Sequence, residues 1–239
     1  MKKYMEAKLF IFILFSVSTL TGQKANIKAV YGVQSIRDVQ SIDGAEAQDL
    51  VYRSNDMLKS FEFELYANNN ESLFKKTSSL IGDNDKQYIY NLALAFCDGE
   101  KIWYTNVKDD IQIALTESLE EPIILSIEQE LEWQITGDVK TIGDYKVFKA
   151  TSSRKQGKAI KPIIAWFSKD IPYNFGSLGV EGLPGLILEL QIRDMVFTVK
   201  KLEKSTSKIQ MPKGNGKLTY QEFYNRLDSE MESIMERGY

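Results

Sequence analysis

The sequence predicts a mainly β domain: a single antiparallel curved sheet or open half-barrel, accompanied by a few helices. Three observations carry this expectation. Polar and apolar residues alternate with a period of two in several segments, turn-forming dipeptides separate such segments, and apolar residues at helical spacing occur in only two places.

Before the first strand comes a targeting pattern. Lys2, Lys3 and Lys8 give a positive start, Leu9 to Leu20 is an apolar run of 12 residues, and the small residues Thr21 and Gly22 precede Gln23. This is the layout of a secretory signal peptide over residues 1–22, with Gly22 as a candidate cleavage position. A spanning helix would need about 20 apolar residues. No cysteine ends the run, as a lipid anchor would require, and no second long apolar stretch follows. The mature chain is therefore expected to be exported without spanning the membrane, in the periplasm, at the outer membrane or outside the cell. Residues 23–239 fit one β-rich domain, since all-β domains often run to about 200–250 residues.

Ile27, Ala29, Tyr31 and Val33 alternate with polar neighbours, as do Phe61, Phe63, Leu65 and Ala67. Such alternation makes one wet and one buried sheet face. Ala47, Leu50, Val51, Ser54 and Leu58 share a helical face and predict a helix over 45–58. Asp98-Gly99, between 88–97 and 101–107, predicts a hairpin, because Asp-Gly supplies the positive φ angles of a type I′ turn. Gly143-Asp144 and Arg193-Asp194 predict two more hairpins, joining 133–142 to 145–151 and 186–192 to 195–202. Pro212 to Gly216 marks a linker at 210–217. Thr219 and Glu222 then form a capping box ahead of the stripe Phe223, Leu227, Met231, Ile234 and Met235, which predicts an amphipathic helix near 219–236. That stripe suits packing on the body of the protein, or docking to a partner.

Charge and residue usage exclude several functions. The chain has 30 basic and 33 acidic residues, net −3; loss of residues 1–22, with three lysines and one glutamate, takes the net charge to −5. A nucleic-acid partner is not expected, since it needs a concentrated basic face. The one basic cluster, Arg154, Lys155, Lys158 and Lys161, reads as a solvated loop. There is no histidine, so Ser-His-Asp and Cys-His sites and the commonest zinc sites are excluded. Asp83-Asn84-Asp85 and Asp109-Asp110 are too sparse for a calcium loop. Cys97 is the single cysteine and lies in an apolar run, as a buried small hydrophobe would. Glu117, Glu120, Glu121, Glu128, Glu130 and Glu132 supply carboxylates in a polar stretch and read as solvated charges; an enzyme built on a carboxylate pair is the remaining catalytic possibility. No catalytic residue, cofactor or metal is assigned.

One motif is distinctive: Gly182, Leu183, Pro184, Gly185, Leu186 and Ile187. Pro184 suits position i+1 of a type II turn and Gly185 suits i+2, with Leu183 and Leu186 placed to clamp the corner onto the core. The spacing matches neither a Walker loop nor a dinucleotide fingerprint. The hexapeptide resembles the signature of the GLPGLI family of exported bacterial proteins. Further segments resemble the same family: Trp133-Gln-Ile-Thr, Lys140 to Tyr145 with Lys149-Ala150, and Ala165 to Pro172. Gly176 and Ser177 stand at the family's Gly-Pro position and Phe148 where many relatives carry Cys. The resemblance runs roughly over 126–202 and implies no established activity.

The layout also resembles periplasmic lipoprotein carriers, which are open half-barrels covered by helices. That analogy would make the concave face an apolar groove, lined by Trp133, Trp166, Phe167, Tyr173 and Phe175, although each aromatic also suits core packing. The strand after Ile187 would offer an edge for a partner strand. The resulting expectation is a non-enzymatic envelope protein that binds an apolar or lipid-type ligand or a protein partner, accessory to an outer-membrane transporter or secretion component. Alternatives are a carboxylate-pair hydrolase and a structural subunit of an envelope assembly.

Overall fold

A computed structural model of the chain describes residues 26–77, 84–116 and 121–236. The expected signal peptide, and Glu117 and Glu120, lie outside the described residues. The elements run β1 (Asn26–Ser35), α1 (Ala45–Leu58), β2 (Glu62–Ala67), β3 (Glu71–Lys76), α2 (Asn84–Phe96), β4 (Lys101–Asn106), β5 (Ile111–Thr116), β6 (Ile123–Ser126), β7 (Gln134–Ile142), β8 (Tyr145–Gln156), β9 (Ala159–Ser168), β10 (Leu186–Ile192), β11 (Met195–Ser205), β12 (Gly216–Thr219) and α3 (Tyr220–Glu236).

All the strands join one sheet of twelve, in the order β12-β6-β5-β4-β3-β2-β1-β11-β10-β9-β8-β7. Its two ends, β12 and β7, do not meet, so the barrel stays open. The expected architecture holds with one correction. β12 runs parallel to β6, pairing Gly216 with Ile123 through Thr219 with Ser126, so the sheet is mixed. The end of the 210–217 linker therefore belongs to this strand.

A side-chain contact demonstrates the curvature. β4 and β8 are seven strands apart, about 34 Å across a flat sheet at roughly 4.8 Å per strand. Yet the Arg154 guanidinium of β8 lies 5.5 Å from the Trp103 ring of β4. Two side chains cannot span that distance unless the sheet curls until its halves face each other.

Alternation then decides what fills the inside. Ala29, Tyr31, Val33, Phe63, Leu65, Ala67, Phe74, Trp103, Ile163, Ala165, Phe167 and Phe197 form the buried layer. Phe63 stacks on Phe74 at 5.3 Å, and Phe197 meets Phe63 edge-on at 5.3 Å. The β9–β10 connection, residues 169–185, enters this interior and adds Ile171, Tyr173, Phe175, Leu178, Val180 and Leu183 to the core. Gly179 lies against the Trp103 ring. The Tyr31 hydroxyl donates to the Ile187 carbonyl at 2.7 Å, fixing the exit of the connection.

α1 occupies the expected span and buries Val51, Ser54 and Leu58. The hairpin expected at Asp98-Gly99 is a correction. Residues 84–96 form α2, because Ile89, Ala93 and Cys97 recur every four residues and are buried, and Leu and Ala favour helix. Asp98, at φ +52, ends the helix, and the Gly99 N–H returns to the Leu94 carbonyl at 2.9 Å, a helix-terminating bond. The other two hairpins form as expected. Gly143 takes φ +56 between Ile142 and Tyr145, and Arg193 takes φ +55 between Ile192 and Met195.

The capping box of α3 also forms: Thr219 N–H donates to Glu222 Oε2 at 2.8 Å, and Glu222 N–H to Thr219 Oγ1 at 3.1 Å. The first turns of α3 pack through buried Tyr220 and Phe223, while Leu227 and Met231 of the expected stripe are exposed; the side chains of Ile234 and Met235 lie outside the described residues. Polar contacts hold the helix against the β8–β9 turn: Gln221 to the Gly157 carbonyl, Lys158 N–H to Asp228 at 2.9 Å, and Lys158 Nζ to Glu232 at 2.6 Å. Thr219→Ala is expected to lower stability by about 1 kcal/mol. Thermal unfolding should register this as a fall of roughly 2–4 °C.

Candidate functional site

The five aromatics expected to line a groove do not share a surface. Trp166 and Phe167 are adjacent on β9, so the period of two sends them to opposite faces. Phe167, Tyr173 and Phe175 are core residues. Trp166 lies on the outer face beneath two ammonium groups, Lys140 at 4.3 Å and Lys149 at 5.9 Å, and Lys140 bridges to Glu189 at 2.6 Å. Trp133 is half-buried, donates through Nε1 to the Glu181 carbonyl at 2.8 Å and packs beside Gly182. The expected groove is occupied by the protein's own 169–185 connection. The strand after Ile187 is likewise no edge, since β10 pairs with β9 on one side and β11 on the other.

The hexapeptide is a corner of that connection. Leu183, Leu186 and Ile187 are buried. The turn differs from the type II expectation: Gly185 N–H bonds the Leu183 carbonyl at 2.8 Å, closing a three-residue γ-turn around Pro184, while Leu186 N–H goes to the Ile171 carbonyl. Gly185 sits at φ +150, against the backbone of Ser168.

A different surface emerges where the two halves of the curled sheet approach. Residues 126–131, after β6, run beside the end of β8. The Gln129 side chain accepts from Lys155 N–H at 2.7 Å and donates to the Ser153 carbonyl at 3.3 Å. Two cavities of about 540 and 290 Å³ open along this seam and share the wall Ser126–Gln129. The larger is acidic, with Asp110, Glu128, Glu130 and Glu181 set against Lys217. Burial raises the Glu181 carboxyl, and the charges of Asp110 and Glu130 raise it further. Glu128 and Glu130, expected as solvated charges, are indeed exposed, but they line this cavity.

The smaller cavity is walled in part by Ile127, Lys155, Thr219, Tyr220 and Arg154. Arg154 corrects the solvated-loop expectation, being 3% exposed inside a twelve-residue strand. Its Nη1 donates to the Leu178 carbonyl at 3.3 Å, and its guanidinium lies 5.5 Å from the Trp103 ring and 5.9 Å from that of Tyr220. Burial pushes the Tyr220 hydroxyl up to about 12, with the charge of Asp98 adding to the shift. Leu178 holds φ +55, an uncommon conformation for a residue with a Cβ, so its carbonyl is presented to Arg154 by a constrained turn. A sequence signal for Arg154 exists: Ala150, Arg154 and Gln156 keep the inward parity of β8 to its end.

A second buried charge cluster holds α3 to the α2–β4 turn. Lys101 Nζ pairs with Asp98 at 2.7 Å and with Glu100, and the Tyr224 hydroxyl donates to Asp98 at 2.8 Å. Burial opposes the Asp98 carboxylate, but the Lys101 ammonium and the Tyr224 hydroxyl outweigh it and hold the carboxyl below its usual range. Burial dominates at Glu100 and raises it. Neither of the two seam cavities is lined by these residues. Cys97 is buried as expected, and that burial pushes its thiol up, away from reactivity.

Comparison with known proteins gives a family match over one segment of the chain. No curated protein matches the chain. Solved structures of PNGF-II in the C2 and P21 space groups are similar at a TM-score of 0.49 and 15% identity, over 78% of this chain. The match spans 29% of the PNGF-II chain. A family model described as "Protein of unknown function (Porph_ging)" matches residues 153–189. That segment takes in Arg154, the β8–β9 turn, the interior connection and the Gly182–Ile187 corner. Residues 153–189 are thus similar to the Porph_ging family, the GLPGLI-type family of unknown function that the hexapeptide resembles.

Proposed function

We propose that this chain is an exported, non-enzymatic binding protein of the bacterial envelope, accessory to outer-membrane transport or secretion. Its ligand is apolar or lipid-type, or a segment of a protein partner. The observation that supports this reading is the seam. The smaller cavity there is walled by three separate parts of the chain, the β6–β7 connection, the end of β8 and the start of α3, and the larger one adjoins it through the same connection and is closed by β5, Glu181, Gly182 and Lys217. The smaller cavity is mostly apolar, and an apolar pocket with a few polar groups framed by several elements is typical of ligand sites. The signal-peptide pattern of residues 1–22 supports export.

A hydrolase built on a carboxylate pair is the second reading. Asp98 and Glu100 favour it in one respect, because their environments push their two carboxyl groups in opposite directions. Against it, one buried lysine engages both carboxylates.

Native mass spectrometry of the chain purified from envelopes, under conditions that retain lipids and proteins, tests the proposal. The expected spectrum shows a chain starting at Gln23 with a stoichiometric small amphipathic molecule or one discrete partner. An unprocessed chain would rule out export, and a processed chain that carries neither would rule out the binding role.

A further inference from the structure

We propose that the smaller seam cavity receives the carboxylate head of a short amphipathic monoanion, and that Arg154 is its recognition group. This rests on the binding reading above and names the chemistry of the ligand.

A guanidinium stays charged under all ordinary conditions, and it offers five N–H donors. Arg154 is 3% exposed, yet it takes part in no ion pair among the described residues. Nη1 reaches the Leu178 carbonyl, while Nη2 has no hydrogen bond among the described residues. Burying a cation without an opposing charge is costly, and so is burying an unmatched donor. The Trp103 and Tyr220 rings give cation–π support to the guanidinium, but rings cannot accept from the donors at its edge. The other buried cation near this seam, Lys101, shows the contrast: it has two carboxylates of its own. A carboxylate is the usual bidentate or single-contact partner of arginine.

The remaining wall selects among anions. Ile127 and Tyr220 supply apolar surface, and Ser126, Thr219 and Gln221 supply neutral polar groups. Lys155 and Glu128 stand on the same wall with opposite charges, so Arg154 leaves one net positive charge. One charge balances a carboxylate and leaves a dianionic phosphate monoester in excess. The volume of about 290 Å³ is at the small end of ligand pockets, so the apolar body is short.

Calorimetric titration of the purified chain at constant ionic strength, with octanoate, octanol and octyl phosphate, tests this. Octanoate is expected to bind one-to-one and at least tenfold more tightly than either other probe. Arg154→Met should reduce octanoate to the affinity of octanol, and Arg154→Lys should keep part of the preference. Because Arg154→Met can also loosen the interior, Ile127→Trp provides a second arm: it fills the cavity, keeps Arg154, and should abolish octanoate binding. Equal affinity for octanoate and octanol would remove the role of Arg154 while leaving an apolar-ligand protein. Tighter octyl phosphate, or undiminished octanoate binding in Ile127→Trp, would overturn the site. Failure of all three probes to bind would overturn both the site and the small-ligand reading.

Discussion

Gly185→Val is expected to destabilise the chain by on the order of 4 kcal/mol, lowering the melting temperature by roughly 10 °C or preventing folding. Two independent effects add. At φ +150 a β-branched residue is strained. A Cβ at Gly185 would also lie 2.0 Å from the Ser168 carbonyl oxygen and 2.7 Å from its carbon. Both are backbone atoms of the strand end that pairs with Leu186, so no side chain can swing away to make room. Two further glycines separate the causes. Gly143 has φ +56 and no atom within 4 Å of the position a Cβ would take, and Gly137 has open space and no such φ. Gly143→Ala should therefore cost about 1–2 kcal/mol, from backbone strain alone. Gly137→Ala should be nearly neutral. Thermal unfolding of the three variants checks the order, and a Gly185→Val protein that melts with wild type would show that the corner is not packed as described.

The parts of this fold that are legible in the sequence are those set by local period and local turn chemistry. The alternation around Ile27 to Val33 marks β1, Gly143-Asp144 marks the β7–β8 hairpin, and Thr219 with Glu222 marks the start of α3. Residues 84–96 mislead because a short apolar run of Leu and Ala satisfies a buried strand as well as a buried helix. The parallel β12–β6 pair is invisible, since Gly216 meets Ile123 with no local signal to announce a partner that distant. The groove expectation fails for a related reason. Residues 169–185 have no period, so nothing reveals that the chain fills its own concave face, and three of the aromatics assigned to a groove, Phe167, Tyr173 and Phe175, become core. Arg154 reads as one of four loop cations if the β8 strand stops at Thr151. Continued to Gln156, its parity turns Arg154 inward.

Lys101→Met should cost about 3–5 kcal/mol near neutral pH, as expected when one partner of a buried ion cluster is removed. The lysine is 3% exposed, and its removal strands Asp98 and Glu100, whose side chains are 16% and 21% exposed, with the Tyr224 hydroxyl as the remaining side-chain donor to Asp98 among the described residues. Methionine fills similar space, so the loss is mainly electrostatic. The pH dependence distinguishes this from simple packing damage. In the native chain the folded-state Asp98 carboxyl lies below its unfolded value, so its contribution is present above the unfolded pKa and fades as pH falls through the carboxylate range. Glu100 is raised in the folded state and gains stability on acidification, which partly offsets that loss. Without Lys101, burial raises both carboxyls above their unfolded values, so protonation stabilises the variant as pH falls. The difference between variant and native protein should therefore be largest at pH 7 and clearly smaller at pH 4, in paired chemical denaturations. Lys59→Met removes a lysine from an exposed pair, 72% and 69% exposed with Asp56, and should change stability by less than about 1 kcal/mol at either pH. A Lys101→Met penalty that stays constant or grows on acidification would mean the ammonium acts through packing, and the buried cluster would then hold α3 by shape alone.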